Sequence, residues 1–422
     1  MTWFDVGLTA LKVVIIQMMI LNIAPLLIWV ERKGCAYIQD RRGPNRATIL
    51  GLRLGGLFHA LADVVKLITK ADSENREVSR PLFILAPLIA VFISLITVAI
   101  VPFTEPLVLG NFTFNLQIAD LSAGLLYVLA FSSLAVYALL LAGWSSGGNF
   151  SLIGALRAAS QMVSYEISMG LSVVAIFMVG GSFRLGDLVA IQGENPFDWF
   201  IVKLPIAFIL FFTALFAETN RLPFDLPEGE SELTAGYHTE YSSMRFAMFF
   251  MGEYIHITVG SLLITMLFLG GWNLPYVSTE WLRSHSSYAL EIIWVGAALF
   301  HVVIGAYLIR HYVRRRGFWG DARDREGLVF GIPALFAGLA LGAAYIVPKT
   351  ILLPWWVGPV TVFGIQMGVV LAKTLFFCWV FIWVRWTLPR FRYDQLMRLG
   401  WKSLLPLALA NIVLTGVMVL YG

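Results

Sequence analysis

Long apolar runs divide the chain, and no other feature restricts its fold as strongly. The runs cover about 6–30, 81–102, 122–143, 160–181, 200–219, 244–271, 290–310, 328–347, 358–384 and 403–420. Each is close to the roughly 20 residues that a helix needs to cross a bilayer. The chain is 59% hydrophobic and 13% charged, whereas a soluble domain is about 25% charged. The sequence therefore predicts an all-α polytopic membrane protein with about ten transmembrane helices.

Residues 50–70 carry a different pattern. Apolar side chains recur there at helical spacing, with Asp63 and Lys66 between them. Such a pattern is typical of an amphipathic helix that lies along the membrane surface. A short re-entrant or buried helix is the alternative.

The basic residues predict the orientation of the bundle. If the apolar runs cross the membrane in turn, most of the 30 Lys and Arg residues fall in the loops on one face. The opposite face holds only Arg184, Lys203, Arg283 and Lys349. Because cytoplasmic loops carry an excess of Lys and Arg, we expect the basic loops in the cytoplasm and both termini outside.

The chain lacks the ligand patterns of common prosthetic groups. Its 2 cysteines, Cys35 and Cys378, lie far apart, whereas iron–sulfur and Cys-rich zinc sites need about four ligands. Glu253 and His256 form one Glu-x-x-His pair, but a di-iron site in a helical bundle needs two such pairs. We expect this chain to bind no cofactor and no metal, and His256 to be a polar residue that faces the bundle.

Three carboxylates occur within or at the ends of apolar runs. Glu166 lies near the start of the fourth run, Glu218 ends the fifth, and Glu253 lies about two turns into the sixth. A charged side chain inside a bilayer is costly, and it is kept mostly for function or for a place inside the bundle. These residues are candidates for carrying protons; structural pairing with Arg157 or Arg221 is the alternative.

An acidic stretch at 218–240 follows the fifth run, on the face where loops are usually basic. Pro223 and Pro227 prevent a regular helix there. Glu228, Glu230 and Glu232 alternate, so they share one face if the chain is extended. Such like charges form a coupled cluster that can take up and release protons. The stretch could equally be a solvated loop or a docking patch for a basic partner.

The loop after the first run is the basic counterpart of this stretch. Arg41, Arg42 and Arg46 surround Gly43-Pro44, a dipeptide that indicates a turn. A basic turn beside a membrane commonly contacts lipid head groups or an acidic partner, and it could line the mouth of a cavity.

Several motifs, in order along the whole chain, resemble one known family. They are ERKGCAYIQDRRGPN, ADVVKL, SYE, ETNRLPFDLPEGESELTAGYHTEYSS and PRFRYDQLMRLGWKSLLPLALAN. They are similar to the H subunit of bacterial NADH-quinone oxidoreductase, which is called ND1 in mitochondria and belongs to respiratory complex I. The chain departs from the family at His59-Ala60, where Gln-Pro is common.

The resemblance implies a membrane subunit of a proton-pumping NADH:quinone oxidoreductase, without a redox centre of its own. Together with two hydrophilic subunits it would form the chamber where the substrate quinone is reduced, and it would form most of the quinone entry tunnel. FMN and the iron–sulfur clusters would belong to partner subunits. The other implied partners are small membrane-arm subunits and lipids, with no nucleic acid. The implied location is the bacterial inner membrane, with both termini in the periplasm.

The resemblance also assigns roles to individual residues. It implies a proton funnel made of acids with a catalytic role: Glu166, Glu218, Asp225, Glu228, Glu230, Glu232, Glu240 and Glu253. It implies a quinone tunnel with charged residues along it: Arg32, Arg41, Asp63, Lys66 and Arg221.

The length of the chain suggests an insertion in a family core of eight helices. Residues 1–282 would form the core bundle with the tunnel and the acidic loop. Residues 283–348 would add a pair of transmembrane helices with a basic cytoplasmic loop, and residues 349–422 would supply the last two core helices.

Two other functions remain open at this point. One is the homologous membrane subunit of a related hydrogenase-type or plastoquinone-reducing complex. The other is an independent ion transporter, although many transporters show paired halves and this sequence shows none.

Overall fold

The computed structural model describes residues 3–73, 75, 77–226, 236–315, 323–346 and 354–421. Helices dominate it. In chain order its elements are α1 (Trp3–Ile38), α2 (Phe58–Thr69), α3 (Arg80–Ile96), β1 (Leu107–Leu109), β2 (Phe112–Phe114), α4 (Gly124–Ser145), α5 (Asn149–Gly180), α6 (Leu185–Gln192), α7 (Phe200–Lys203), α8 (Pro205–Glu218), α9 (Ser243–Phe268), α10 (Thr279–Ser284), α11 (Ser286–Arg315), α12 (Arg323–Ile346), α13 (Val357–Thr387), α14 (Tyr393–Arg398) and α15 (Leu405–Tyr421).

Within the described part of the chain, nine helical segments are long and apolar enough to cross a membrane. They contain α1, α3, α4, α5, α9, α11, α12, α13 and the continuous stretch from α14 to α15. The prediction of an all-α polytopic membrane protein is confirmed. The predicted run at 200–219 is divided between the short α7 and the 14-residue α8. Pro205 begins α8, because proline suits the first turn of a helix and cannot continue an earlier one.

α2 is the amphipathic helix predicted from residues 50–70. None of its residues is buried, and Leu61, Val64, Val65 and Ile68 are exposed. It packs against α1 and α9 at its other side. An exposed row of aliphatic side chains beside a membrane bundle is suited to the lipid interface.

α9 lies at the centre of the bundle. It packs against α1, α3 and α13, while α5 packs against α4, α8 and α15. In its most apolar 18-residue stretch, 72% of α9 is buried, compared with 11% for α11 and 17% for α12. α11 and α12 pack mainly against each other, so they form a peripheral hairpin beside a central core.

Polar side chains fix the end of α9 that lies far from the acidic stretch. The Lys373 ammonium, on α13, donates to the carbonyls of Leu269, Gly271 and Asn273 at 2.7, 2.9 and 2.8 Å. It also lies 4.4 Å from the centre of the Trp199 ring. These carbonyls follow the last turn of α9, where a helix has unsatisfied acceptors and a partial negative charge.

Candidate functional site

α8 and α9 bring the predicted acid Glu218 close to His256, which lies one turn from the predicted acid Glu253. The helices run in opposite directions and touch where a side chain on Gly260 would lie 2.7 Å from Leu215. Glu218 lies one turn beyond Leu215, and His256 lies one turn before Gly260. Glu218 Oε1 is consequently 3.5 Å from His256 Nε2, and both side chains are largely buried. Glu253 lies one turn before His256 on α9.

Arg221 lies between two buried carboxylates. Its guanidinium is 3.5 Å from Glu31 and 3.9 Å from Glu253, and the side chain is 6% exposed. It also stacks 4.2 Å above the ring of Tyr254. A buried arginine between two acids can shift towards whichever one is ionised, so the charge states of Glu31 and Glu253 are coupled through it.

Glu31, on α1, has further partners. Arg385 on α13 forms an ion pair with it, and the Tyr254 hydroxyl donates to it at 2.8 Å. The Glu31 side chain is 9% exposed. Charged hydrogen bonds at this depth stabilise an ionised carboxylate that would otherwise be costly to bury.

The first part of the acidic stretch is held against the bundle. Gln161 on α5 donates to the carbonyls of Ala217 and Phe224, both at 2.8 Å. Asp225 accepts a hydrogen bond from Arg390 at 2.7 Å. These contacts fix the chain between the end of α8 and Leu226 close to α5 and to the segment before α14.

Two small cavities meet at Glu218 and His256. One of them, about 50 Å³, is lined by residues of the acidic stretch and is here called the inner cavity. Glu253 and Tyr237 also line it, and Tyr237 follows the acidic residues 228–232 in the sequence. The deep cavity, about 20 Å³, continues away from those residues towards Thr97. Each exceeds the roughly 10–15 Å³ that one water needs. The Tyr237 hydroxyl donates to Glu253 Oε1 at 3.4 Å.

Glu166 and Glu240 lie at the edges of this arrangement. Glu166, on α5, is half-buried and accepts a hydrogen bond from Ser133 on α4. Glu240 is half-buried beside Gly148, at the start of α5. Three further acids of the predicted funnel, Glu228, Glu230 and Glu232, lie outside the described residues.

Three of the residues expected around a quinone tunnel pair with one another, and the other two, Arg41 and Arg221, lie apart from them. Arg32 on α1 and Lys66 both pair with Asp63 on α2, Lys66 at 3.1 Å. Burial raises the pKa of Asp63, but the hydrogen bonds from Arg32 and Lys66 outweigh it and hold that pKa below its usual value. Arg41 instead donates to Gln39 at 2.7 Å. Arg221 belongs to the buried acids rather than to the surface near α2.

His59, where the chain departs from the family pattern, supports the basic turn. Its Nε2 accepts hydrogen bonds from the backbone N–H groups of Arg46 and Ala47 at 2.8 and 3.0 Å.

Sequence reasoning missed several partners of the acids: Glu31, Tyr237, Tyr254, Arg385 and Arg390. Glu31 had a signal, since it directly follows the first apolar run. His256 was expected only to face the bundle, which it does, and its spacing of three from Glu253 indicated a shared face. Arg385 and Arg390 had no local signal, because their partners lie more than 150 residues away.

The arrangement is suited to holding and moving protons. Buried carboxylates and an imidazole are side chains that exchange protons near neutral pH when their surroundings favour it. Among the described residues, no group of three or more His, Cys, Asp or Glu residues could hold a metal ion.

Comparison with known proteins gives consistent matches along the chain. A family model described as NADH dehydrogenase matches residues 11–318 and 327–416. The H subunit of the NADH-quinone oxidoreductase of Bdellovibrio bacteriovorus is 37% identical over 440 residues, covering 99% of this chain and 97% of the relative. The corresponding H 1 subunits of Solibacter usitatus and Geobacter metallireducens are each 39% identical, covering 98% of this chain and 96% of the relative.

Proposed function

Because this chain belongs to the family of H subunits of NADH-quinone oxidoreductase, we propose that it forms the quinone entry tunnel of complex I and couples quinone reduction to proton translocation. It acts within the enzyme without a redox centre of its own, while FMN and the iron–sulfur clusters lie in partner subunits. The coupling runs through its buried carboxylates.

One observation carries this proposal: a continuous set of buried ionisable groups leads from the acidic stretch into the bundle. Arg221 links Glu31 with Glu253, and Tyr237 links Glu253 with the chain beyond residues 228–232. Glu218 and His256 extend the set across the inner cavity. A charge change on a quinone beside the stretch would alter the ionisation of Glu253 and Glu218 through these contacts.

The surface around α2 supports a quinone tunnel nearby. Its exposed aliphatic side chains are suited to the lipid interface, and the Asp63 pairs with Arg32 and Lys66 lie beside them. A hydrophobic substrate arriving from the bilayer would meet apolar side chains first and charged groups next. Arg41 and the basic turn held by His59 lie on the same loop.

The basic loops support one orientation and one set of partners. We place them in the cytoplasm of a bacterium, with both termini in the periplasm and the bundle in the inner membrane. The hydrophilic quinone-site subunits then cover the acidic stretch, including Glu228, Glu230 and Glu232. Small membrane-arm subunits and lipids surround the helices.

Replacing Glu253 by Gln in the assembled complex tests the proposal. We expect NADH:quinone reductase activity and proton pumping in proteoliposomes to fall at least about tenfold, because a fixed neutral amide cannot exchange a proton. NADH oxidation by ferricyanide should persist, since it needs only the partner subunits.

Glu280→Gln is the matched control, because Glu280 is exposed in the first turn of α10 on the opposite face. It should leave both activities unchanged. If Glu253→Gln kept full quinone reduction and pumping, the buried acids would not couple the two. If the wild-type complex did not reduce quinone, the proposed function as a whole would be wrong.

A further inference from the structure

The pair of Glu218 and His256 occupies the boundary between the inner cavity and the deep cavity. Both residues line both cavities, and among the residues that the structure describes they are the ionisable ones that line the deep cavity. The rest of the deep cavity is mainly apolar, with the hydroxyls of Thr97 and Ser132 as exceptions. Glu218 and His256 are therefore the side chains through which a proton can be handed from the inner cavity to the deep one.

We propose that His256 transfers protons between Glu218 and water in the deep cavity, and so carries them beyond the carboxylates into the centre of the bundle. The inference rests on the proposed function. It deepens that function by adding an imidazole to a path that sequence reasoning built from acids alone.

The geometry suits an imidazole better than another acid at position 256. Its Nε2 lies 3.5 Å from Glu218 Oε1, a distance that a small side-chain movement shortens to hydrogen-bond length. Imidazole has two nitrogens on opposite sides of the ring, so it can accept a proton from one cavity and release one to the other. A carboxylate would add another negative charge beside Glu218 and Glu253.

The transfer conserves protons and charge. Protonated Glu218 gives its proton to His256 Nε2, which leaves a carboxylate and an imidazolium. The imidazolium releases its Nδ1 proton to a water molecule in the deep cavity and becomes neutral again. Rotation of the ring then turns the unprotonated Nδ1 towards Glu218, where it can accept the next proton.

Charged and titratable groups approach His256 from several elements. Glu218 comes from α8, Glu253 from α9 itself, and Tyr237 from the turn after the acidic residues. Arg221 lies 3.9 Å from Glu253, and Glu166 on α5 interacts electrostatically with Glu218. From α3 and α4 and the turn after α3, the cavity walls contribute Ser94, Thr97 and Ser132, which do not titrate.

Substitution of His256 by Gln in the complete complex separates proton transfer from simple hydrogen bonding. The Gln amide can occupy the position of Nε2 and still donate to Glu218, but it does not titrate. We expect NADH-driven pumping and quinone reduction to fall about tenfold, with ferricyanide reduction unchanged. The pH profile of the rate should also change shape, because an imidazole can exchange a proton and an amide cannot.

His301→Gln is the matched control. His301 lies on the peripheral helix α11, where its Nδ1 forms a hydrogen bond with the Ala297 carbonyl one turn earlier. This variant should keep the wild-type rate, pumping and pH profile. If His256→Gln prevents assembly, the smaller His256→Asn is expected to give the same loss of rate and the same change in the pH profile.

Two outcomes would overturn the inference. In one, His256→Gln or His256→Asn retains the wild-type rate and pumping. In the other, the rate falls but the pH profile keeps its wild-type shape, which would make His256 a structural partner of Glu218. A wild-type complex that does not reduce quinone would instead refute the proposed function on which the inference depends.

Discussion

Individual charged side chains inside this bundle have two different surroundings. Glu218 and Glu253 line one cavity, and Arg221 lies 3.9 Å from Glu253, so a change of charge on one affects the others. Lys373 also lies within the packing, but its ammonium is saturated by three carbonyls and a tryptophan ring. A residue with a full set of fixed partners is more suited to holding structure than to exchanging protons.

Replacing Lys373 by Met should destabilise the protein. The substitution keeps most of the apolar volume but leaves the carbonyls of Leu269, Gly271 and Asn273 without this donor. Unsatisfied buried acceptors cost about 1–3 kcal/mol each, so we expect a loss of roughly 3 kcal/mol or more. The loss is measured by heating the purified complex and recording, at each temperature, the fraction of this chain that remains folded.

Lys203→Met provides the comparison for Lys373→Met. Lys203 pairs with Asp198 at 2.9 Å, and both side chains are substantially exposed. Exposed ion pairs contribute little to stability, so this variant should unfold at nearly the wild-type temperature. Equal destabilisation of the two variants would mean that the carbonyl contacts of Lys373 contribute no more to stability than an exposed ion pair.

At the scale of a single element, α2 is joined to the bundle by a charged pair with α1 as well as by its packing against α1 and α9. None of its residues is buried, and Asp63 connects it to Arg32 on α1. The pKa of Asp63 is depressed in the folded protein. Its contribution to stability is therefore present above the unfolded-state pKa of about 3.9, and it is lost as the pH falls through the lower folded-state value.

We predict that Asp63→Asn loosens α2 at neutral pH, and that wild type behaves similarly only below about pH 4. Hydrogen-exchange protection of the amides of Phe58–Thr69, corrected for the intrinsic rate at each pH, measures the effect. Asp394→Asn should change little, since Asp394 and Arg392 are both exposed. Unchanged protection in Asp63→Asn would show that α2 is held by its contacts with α9 instead.

For the molecule as a whole, we propose that the peripheral hairpin formed by α11 and α12 is an addition to the bundle. The two helices meet closely at small residues: a side chain on Gly305 would lie 2.7 Å from the backbone of Leu335, and one on Gly338 equally close to Val302. Such close approach stabilises helix pairs in lipid without help from the rest of the protein.

Deleting residues 286–346 and joining the ends with a flexible linker should preserve the orientation of α13, because two crossings are removed. A cysteine introduced by Asp394→Cys should still react with a membrane-impermeant thiol reagent only from the cytoplasmic side. Deleting residues 286–315 alone removes one crossing, so it should reverse that accessibility or prevent insertion. Reversal after the double deletion would contradict the proposed insertion at 283–348.

The sequence predicted the elements better than their contacts. The apolar runs predicted the membrane helices, because only a helix satisfies its own backbone hydrogen bonds in lipid. The helical spacing of apolar residues in 50–70 predicted α2. The short β1–β2 hairpin, which lies between two apolar runs, was not predicted, nor was the division at Pro205 inside the run at 200–219.

Sequence alone determined which residue types are present at membrane depth. Glu166, Glu218 and Glu253 stood out because a charged side chain inside a bilayer is costly and is kept mostly for function. Only the tertiary structure decided which partners the buried acids have. Arg385 pairs with Glu31, from which it is distant in the sequence, and the contact of Gly260 with Leu215 brings His256 to Glu218. Hydropathy acts locally along the chain, whereas ion pairs and cavities depend on how distant helices pack, which no local pattern contains.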